Sequence, residues 1–346
     1  MKPSPPRCDE TTDQDPMRAG RLDRLREELR DAGAWSPHLA EIAFLKEIDR
    51  ARYPRRHERR FPSYGAIVNV GDDDHEIAAA LDELGAIRLE APRDAARQVR
   101  PMADGIQSFA FIRPGAAELV LLQSAVPREV ELVRLRRSLG SNATLVCRSD
   151  DGVVRVVERS QIVIYDGTRW WNKPDARHYA AWVARADPGA PVETTQHILD
   201  FCVHTAGPGP GGTILVWCLD DRAVETVHAR SIRTRPTLPL DLSLALPEAH
   251  SAIQHLLSQI DGATSVGPAG EVVETGLHLR PSRDAHRRVD ISGTTGTRHA
   301  AAKQCSFDVT DAVFFVVSDD GPVTVYSRGH TVASITLAAD LEHIPR

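Results

Sequence analysis

The chain has 346 residues and a mass of 38.0 kDa, longer than one compact core usually grows, so two domains are expected. Apolar residues at 42% and charged residues at 26% follow ordinary globular usage and exclude a wholly disordered, collagen-like or coiled-coil chain. A net charge of −6 gives no whole-protein attraction to nucleic acid or anionic lipid, so any polyanion site must be a local basic patch.

The longest apolar stretches, residues 212–219 and 312–317, fall far short of the roughly 20 residues that a membrane-spanning helix needs. No membrane partner is expected. The start MKPSPPRCDETTDQDP is polar and lacks the apolar run of a secretory signal, and residues 1–18 are expected to be a disordered leader. Cys8, Cys147, Cys202, Cys218 and Cys305 are odd in number and contain no Cys-x-x-Cys pair. Neither a disulfide framework nor a zinc ribbon is supported, and a reducing cytoplasm is the expected location.

Leu22, Leu25 and Leu29 recur at helical spacing over 21–34, and a second helix is expected over about 37–52, the two forming a hairpin. Arg52, Arg55, Arg56, Arg59 and Arg60 follow in a connector, read as a solvated link with nucleic-acid contact as the alternative. Tyr64 to Val70 reads as a strand. Asp72, Asp73 and Asp74 then open a helix, where carboxylates suit the helix dipole and a capping role better than a metal site. Further strands are expected at 108–112, 118–123, 143–148, 153–157 and 161–165, with a helix around 128–139. Trp170 and Trp171 on a strand send one ring to each face, one into the core and the other against the rim or a planar ligand.

Residues 187–191 (DPGAP) read as a boundary, after which Thr194 or Thr195 caps a helix that ends at Gly207. The run GPGPGG at 207–212 contains Gly-x-Gly-x-x-Gly but follows a helix and opens the strand at 213–219, the reverse of a dinucleotide loop. A helix is expected over 247–260, delivering the chain to Asp261-Gly262-Ala263, and a strand over 272–279. Gly296-Thr297-Arg298-His299 combines a flexible glycine with a hydroxyl, a guanidinium and an imidazole, a set suited to phosphate. A helix opening at Arg298 and His299 adds free amides and dipole to that anion site. A strand follows, 313–317, and ends in Ser318-Asp319-Asp320-Gly321.

The stretch from about Thr194 to Ile335 resembles a diadenylate cyclase (DAC, or DisA_N) domain. The likeness rests on Asp261-Gly262-Ala263, on Gly296-Thr297-Arg298-His299, and on Thr310-Asp311-Ala312 leading to Ser318-Asp319-Asp320, in order and at matching spacing. The resemblance implies condensation of two ATP into cyclic di-AMP with Mg²⁺ or Mn²⁺, in a homo-dimer of facing domains. It places Asp261 at the metal and the attacking 3′-hydroxyl, Asp320 at the metal, and Gly262 and Ala263 near substrate. Leu279 falls at adenine, Thr297 at the ribose, Gly296 at the substrate, and Arg298, His299 and Ser318 at the triphosphate, with Asp261, Arg298 and His299 as the catalytic set.

The sequence departs from the family at Ile260, where a His is common, at Ala300, where a second Arg is usual, and at Asp319-Asp320 in place of Glu-Glu. A receptor that binds ATP or cyclic di-AMP without turnover is therefore the alternative, and a nucleic-acid-sensing module a weaker one. Residues 64–174 are similar to a sensor domain found attached to DAC domains. Ala103-Asp104-Gly105 and Gly167-Thr168-Arg169 echo the cyclase motifs, but Asp104 to Thr168 spans 64 positions against 36 for Asp261 to Thr297, which argues against a duplicated domain. The expected class is mixed α/β: a leader over 1–18, a helical segment with basic connector over 19–60, an α/β sensor-like domain over 61–186, and a DAC-type mixed sheet flanked by helices over 192–346.

Overall fold

Runs of β-branched and aromatic residues alternate with charged helical segments, and each run becomes a strand. The computed structural model describes residues 16–31, 42–54, 61–71, 74–92, 96–113, 116–159, 161–174, 176–187, 189–205, 212–233, 241–292, 296–318 and 323–335. By its contacts the chain divides into two compact units. One holds the described residues up to 127 and from 135 to 172; the other holds 128–134 and those from 173 onward. No helix among the described residues is long and apolar enough to cross a membrane.

The chain begins with α1 (Pro16–Asp31) and α2 (Ile42–Arg52), which bury Leu22, Leu25 and Leu29 with Phe44, Leu45 and Ile48 in one core, as the hairpin expectation requires. It continues through β1 (Tyr64–Asn69), α3 (His75–Glu83), β2 (Ile87–Glu90), α4 (Ala96–Val99), β3 (Ser108–Arg113) and β4 (Ala116–Leu121). Next come α5 (Glu129–Ser138), β5 (Ala143–Arg148), β6 (Val154–Val157), β7 (Gln161–Tyr165) and β8 (Trp170–Pro174). Among the described residues these strands form one mixed sheet in the order β2-β4-β3-β1-β5-β6-β7-β8, with β1 and β3 parallel.

Local chemistry sharpens several expectations. Asp74 stands at the start of α3, but its side chain makes no cap; it pairs with Arg113 Nη1 at 2.6 Å, which holds its carboxyl below the usual range. The cap assigned to it is therefore wrong, because a charge-assisted pair outcompetes a cap bond. Asp72 and Asp73 lie outside the described residues. Arg52 is bound to Glu28 and to the Tyr165 hydroxyl, so it serves the first unit's own packing; Arg55, Arg56, Arg59 and Arg60 lie outside the described residues. Trp170 is buried, whereas Trp171 sits at the rim under Arg169, whose guanidinium is 3.8 Å from the ring centroid.

The second unit contains α6 (Arg177–Ala186), α7 (Val192–Thr205), β9 (Thr213–Cys218), α8 (Asp221–Ala229), β10 (Ser231–Arg233) and α9 (His250–Ser258). There follow β11 (Ala263–Val266), β12 (Val272–Leu279), α10 (Arg283–Arg288), α11 (Gly296–Asp308), β13 (Ala312–Val317), β14 (Val323–Ser327) and β15 (His330–Ile335). Among the described residues the sheet order is β10-β12-β11-β9-β13-β14-β15. Neither threonine caps α7: the helix already begins at Val192, and Thr195 Oγ1 donates back to the Pro191 carbonyl at 2.7 Å from within the first turn. Helix α6 packs on α7 and β15.

Cys147, Cys202, Cys218 and Cys305 are all buried and free. Burial pushes Cys147, Cys218 and Cys305 up to about 12 and Cys202 higher still, so all four are thiols near neutral pH. A thiol-specific reagent should therefore modify these four only on unfolding, as peptide mass spectrometry would read. Labelling of any of them in the native chain would contradict this packing.

Candidate functional site

The second sheet gathers four chain segments at one end. β9 and β11 run parallel, so their starts adjoin, while β12 and β13 run antiparallel to them and finish there. That end opens into a cleft of about 700 Å³, within the roughly 300–1,000 Å³ usual for small-molecule sites. Asp261, Gly262, Ala263, Leu279, Gly296, Thr297, Arg298, His299 and Ser318 all line it. Asp320 lies outside the described residues. Ile214, Leu277, His278, Ala301 and Val316 complete the wall. Leu277 and Val316 were legible as strand residues, and Val316 also as part of the run that leads into Ser318, whereas no motif marks Leu277.

Asp261 owes its place to the residue after it. Gly262 has φ +105°, and a Cβ there would meet the Gly276 carbonyl carbon at 3.0 Å and the Leu277 nitrogen at 3.1 Å. Only glycine fits this turn without strain. The turn leaves the Asp261 side chain exposed at the cleft mouth, with its Oδ1 accepting from the Gly262 amide at 2.9 Å.

The opposite wall is α11, which begins at Gly296, two residues before the expected opening, with Gly296 at φ +86°. Its first turn therefore presents Thr297, Arg298 and His299 at the amide end of the helix, where the helix dipole attracts anions. Ala302 and Cys305 seat α11 in a core with Ile214, Val216, Ala263, Leu277 and Phe314. Its far end is tied down as well: the Ser282 amide and hydroxyl both donate to Asp308 at 2.6 Å.

His299 is the most constrained group of the set. Its Nε2 is 2.8 Å from Ser318 Oγ and its Nδ1 is 2.9 Å from the Tyr326 hydroxyl, with the two rings edge to face. Burial raises the Tyr326 pKa, so the phenol is neutral and is the stronger donor of the pair. On that basis the phenol donates to Nδ1, Nε2–H donates to Ser318 Oγ, and the serine O–H remains to donate into the cleft. Each bond polarises the next, which suits the line to negative charge. The sequence reading missed Tyr326, because it lies on β14 beyond every motif.

Among the described residues no group of three His, Cys, Asp or Glu is gathered to hold a metal. Of the described residues that line the cleft, Asp261 alone carries a carboxylate, and it is exposed. That fits a Mg²⁺-type ion, which takes one or two carboxylates and completes its shell with water and substrate phosphates. Gly262→Ala is expected to cost about 1–3 kcal/mol of stability through left-handed strain, and to displace the Asp261 carboxylate. Urea unfolding would measure the first and loss of nucleotide-analogue affinity the second; an unchanged variant would refute the tight turn.

Comparison with known families agrees in order and place. Residues 23–174 match the model described as probable sensor domain DACNK, and residues 231–331 match the DAC model, DisA bacterial checkpoint controller nucleotide-binding. No curated protein matches the chain. The chain thus carries, in sequence, a stretch that matches the DACNK probable sensor domain and a stretch that matches the DAC nucleotide-binding domain.

Proposed function

We propose that the second domain condenses two ATP into cyclic di-AMP and two pyrophosphates across a face-to-face pair of chains, and that the first domain regulates this output. The observation that carries the reading is the union, in one cleft, of the Asp261 turn, the opening of α11 and Ser318. Each 3′-hydroxyl attacks the α-phosphorus of the opposite ATP; an O–P bond forms, the bond to pyrophosphate breaks, and the step occurs twice to close the ring. Such transfer needs positioning and charge neutralisation more than covalent help from the protein.

The residues divide that work. Arg298 and the α11 amides hold triphosphate charge, and the Ser318 hydroxyl, backed by His299 and Tyr326, donates to a phosphate oxygen. Thr297 lies by the ribose, and the Leu279 backbone by adenine. The Gly262 and Ala263 backbone approaches phosphate closely because no side chain intervenes at Gly262. Asp261, and Asp320 as the resemblance implies, would hold a Mg²⁺ or Mn²⁺ ion, which would neutralise further phosphate charge and make the 3′-hydroxyl more acidic. Asp261 also orients that hydroxyl for attack.

The alternative is a receptor that binds ATP or cyclic di-AMP without turnover, and it is favoured by Ile260 and Ala300, where an imidazole and a guanidinium are usual in the family. Chromatography of ATP incubated with either metal separates the two: cyclic dinucleotide supports the cyclase, and stoichiometric binding with none formed supports the receptor.

Three outcomes are expected. Asp261→Asn should lower cyclisation by at least about 100-fold while ATP affinity stays within about threefold, because the near-isosteric amide keeps the turn but loses the charge. Arg298→Ala should weaken ATP binding itself by about tenfold or more, in line with about 1.5–3 kcal/mol for hydrogen bonds to charged groups. Equal loss of binding in both would overturn this division of roles. Since one cleft holds one ATP, specific activity should rise with protein concentration until dimers saturate; a flat value down to concentrations where sizing finds only monomer would refute the facing pair.

A further inference from the structure

The two sheets share one strand order. Lowering each label of the second sheet by eight turns β10-β12-β11-β9-β13-β14-β15 into β2-β4-β3-β1-β5-β6-β7, the first sheet without β8. The senses agree as well: β1–β3 and β9–β11 are parallel, and β1–β5 and β9–β13, β3–β4 and β11–β12, β2–β4 and β10–β12 are antiparallel. The helices fall at the same places in the order, two before the first strand and one in each of the same three connections, with α10 the addition in the second unit.

Register makes the likeness specific. Tyr64 pairs with Arg148 and Arg148 with Val154, as Thr213 pairs with Val317 and Val317 with Val323. β5, β6 and β7 start at 143, 154 and 161, and β13, β14 and β15 at 312, 323 and 330, a constant separation of 169. At that separation Ser149-Asp150-Asp151-Gly152 falls on Ser318-Asp319-Asp320-Gly321, and nine of the 23 positions from 143 to 165 are identical. The duplication argued against from Gly167-Thr168-Arg169 is therefore present, but that tripeptide is not the counterpart of the Arg298 motif. It is the turn between β7 and β8, where Asp166 accepts from the Thr168 and Arg169 amides. The helix counterparts are α5 and α11, and aligning Leu139 with Val309 puts Arg128 at Arg298 and Glu129 at His299.

We infer that the first domain is a second copy of the cyclase-type fold whose nucleotide end is closed by its own chain, so that it works as a sensor without a nucleotide at that end. The comparison of the two ends rests on the nucleotide reading of the cleft. Where Ile214 lines the open cleft, the same register position is Gly65, whose amide donates to the Ala103 carbonyl at 3.2 Å. A Cβ on Gly65 would lie 2.2 Å from the Gly105 Cα, so backbone fills the space. Asp104, at the end where Asp261 stands in the other sheet, turns its Oδ1 onto the amides of Ile106, Gln107 and Ser108 at 2.8–2.9 Å. Ser149, the counterpart of Ser318, donates to Asp151 at 2.5 Å and lies 3.1 Å from Arg155. Glu129, at the place of the imidazole, is buried and held in an ion pair with Lys173 Nζ at 2.7 Å, so it is engaged by its own chain as well.

The test uses the full chain and 3′-deoxy-ATP, which binds but cannot cyclise. Binding should saturate at one per chain and weaken at least about tenfold as a single phase in Arg298→Ala. Photolabelling with 8-azido-ATP should mark peptides from 261–318 and none that contain Gly65, Asp104 or Ser149. Two equivalents per chain, or label on those first-domain peptides, would overturn the closed end. A determined structure in which β1–β7 fail to superpose on β9–β15 in the same order would overturn the duplication, whatever binds. No binding or label anywhere would instead overturn the nucleotide reading of the second domain, and the closed end would then stand on Gly65→Ile: the backbone contact requires this variant to lose stability strongly, and an unaltered urea midpoint would refute it.

Discussion

The close approach of Gly262 to the backbone of β12 is the constraint on which the site depends. At φ +105° the chain leaves α9, crosses within van der Waals reach of Gly276 and Leu277, and enters β11 with the Asp261 carboxylate outward. A side chain at Gly262 would push β11 from β12, and the two strands form the floor between Ala263 and Leu279. The hydrophobic seat of α11 then sets the opposite wall at a fixed height, because Ala302 and Cys305 are small residues that bring the helix close to the sheet. Chemistry at the mouth is thus a consequence of packing beneath it.

Against that frame, His299 has little freedom. Tyr326 and Ser318 engage both ring nitrogens, and a buried polar line of this kind is costly to break at any one member, since the others lose their partners as well. Arg298, one residue earlier, lies at the more open side of the same turn. One helical turn therefore combines an imidazole held at both nitrogens with a half-buried cation, which under the proposed function suits it to a triphosphate.

Much of this was legible from the sequence where strands are long and central. β5 and β7 have the predicted bounds, because their runs of branched residues are bracketed by polar turns. The short strands β2, β10 and β11 escaped notice, as did β14 and β15 beyond the last motif: Ala263–Val266 carries a Thr and a Ser that give no alternation, and its burial comes from the strands on either side. The site motifs were legible because glycines and charged groups interrupt the hydrophobic pattern. The duplication was not, because it survives in strand order and register, properties of pairing between distant segments, while the short motif at Gly167 supplied a false echo. A tight hairpin and a phosphate loop use the same residue types, and Asp166 shows which one this is: burial opposes its ionisation, yet the hydroxyl and amide of Thr168, the Arg169 amide and the Trp171 indole hold its pKa down to about 2.

A closed first copy also bears on assembly. Two cyclase folds on one chain would in principle let a monomer bring two nucleotides together, and a tandem of two open clefts would need no partner. With Gly105 backbone where Ile214 leaves room, the first copy cannot present a second ATP, so under the proposed function the second nucleotide must come from another chain. The same closure frees the first copy to change. Once Asp104 and Ser149 are engaged by their own loops, their sheet end has no catalytic geometry to preserve, and its loops can respond to a signal without disturbing an active site. Under the proposed function, regulation then reduces to whether the first domain favours or hinders the meeting of two open clefts, a control that requires no change inside either of them.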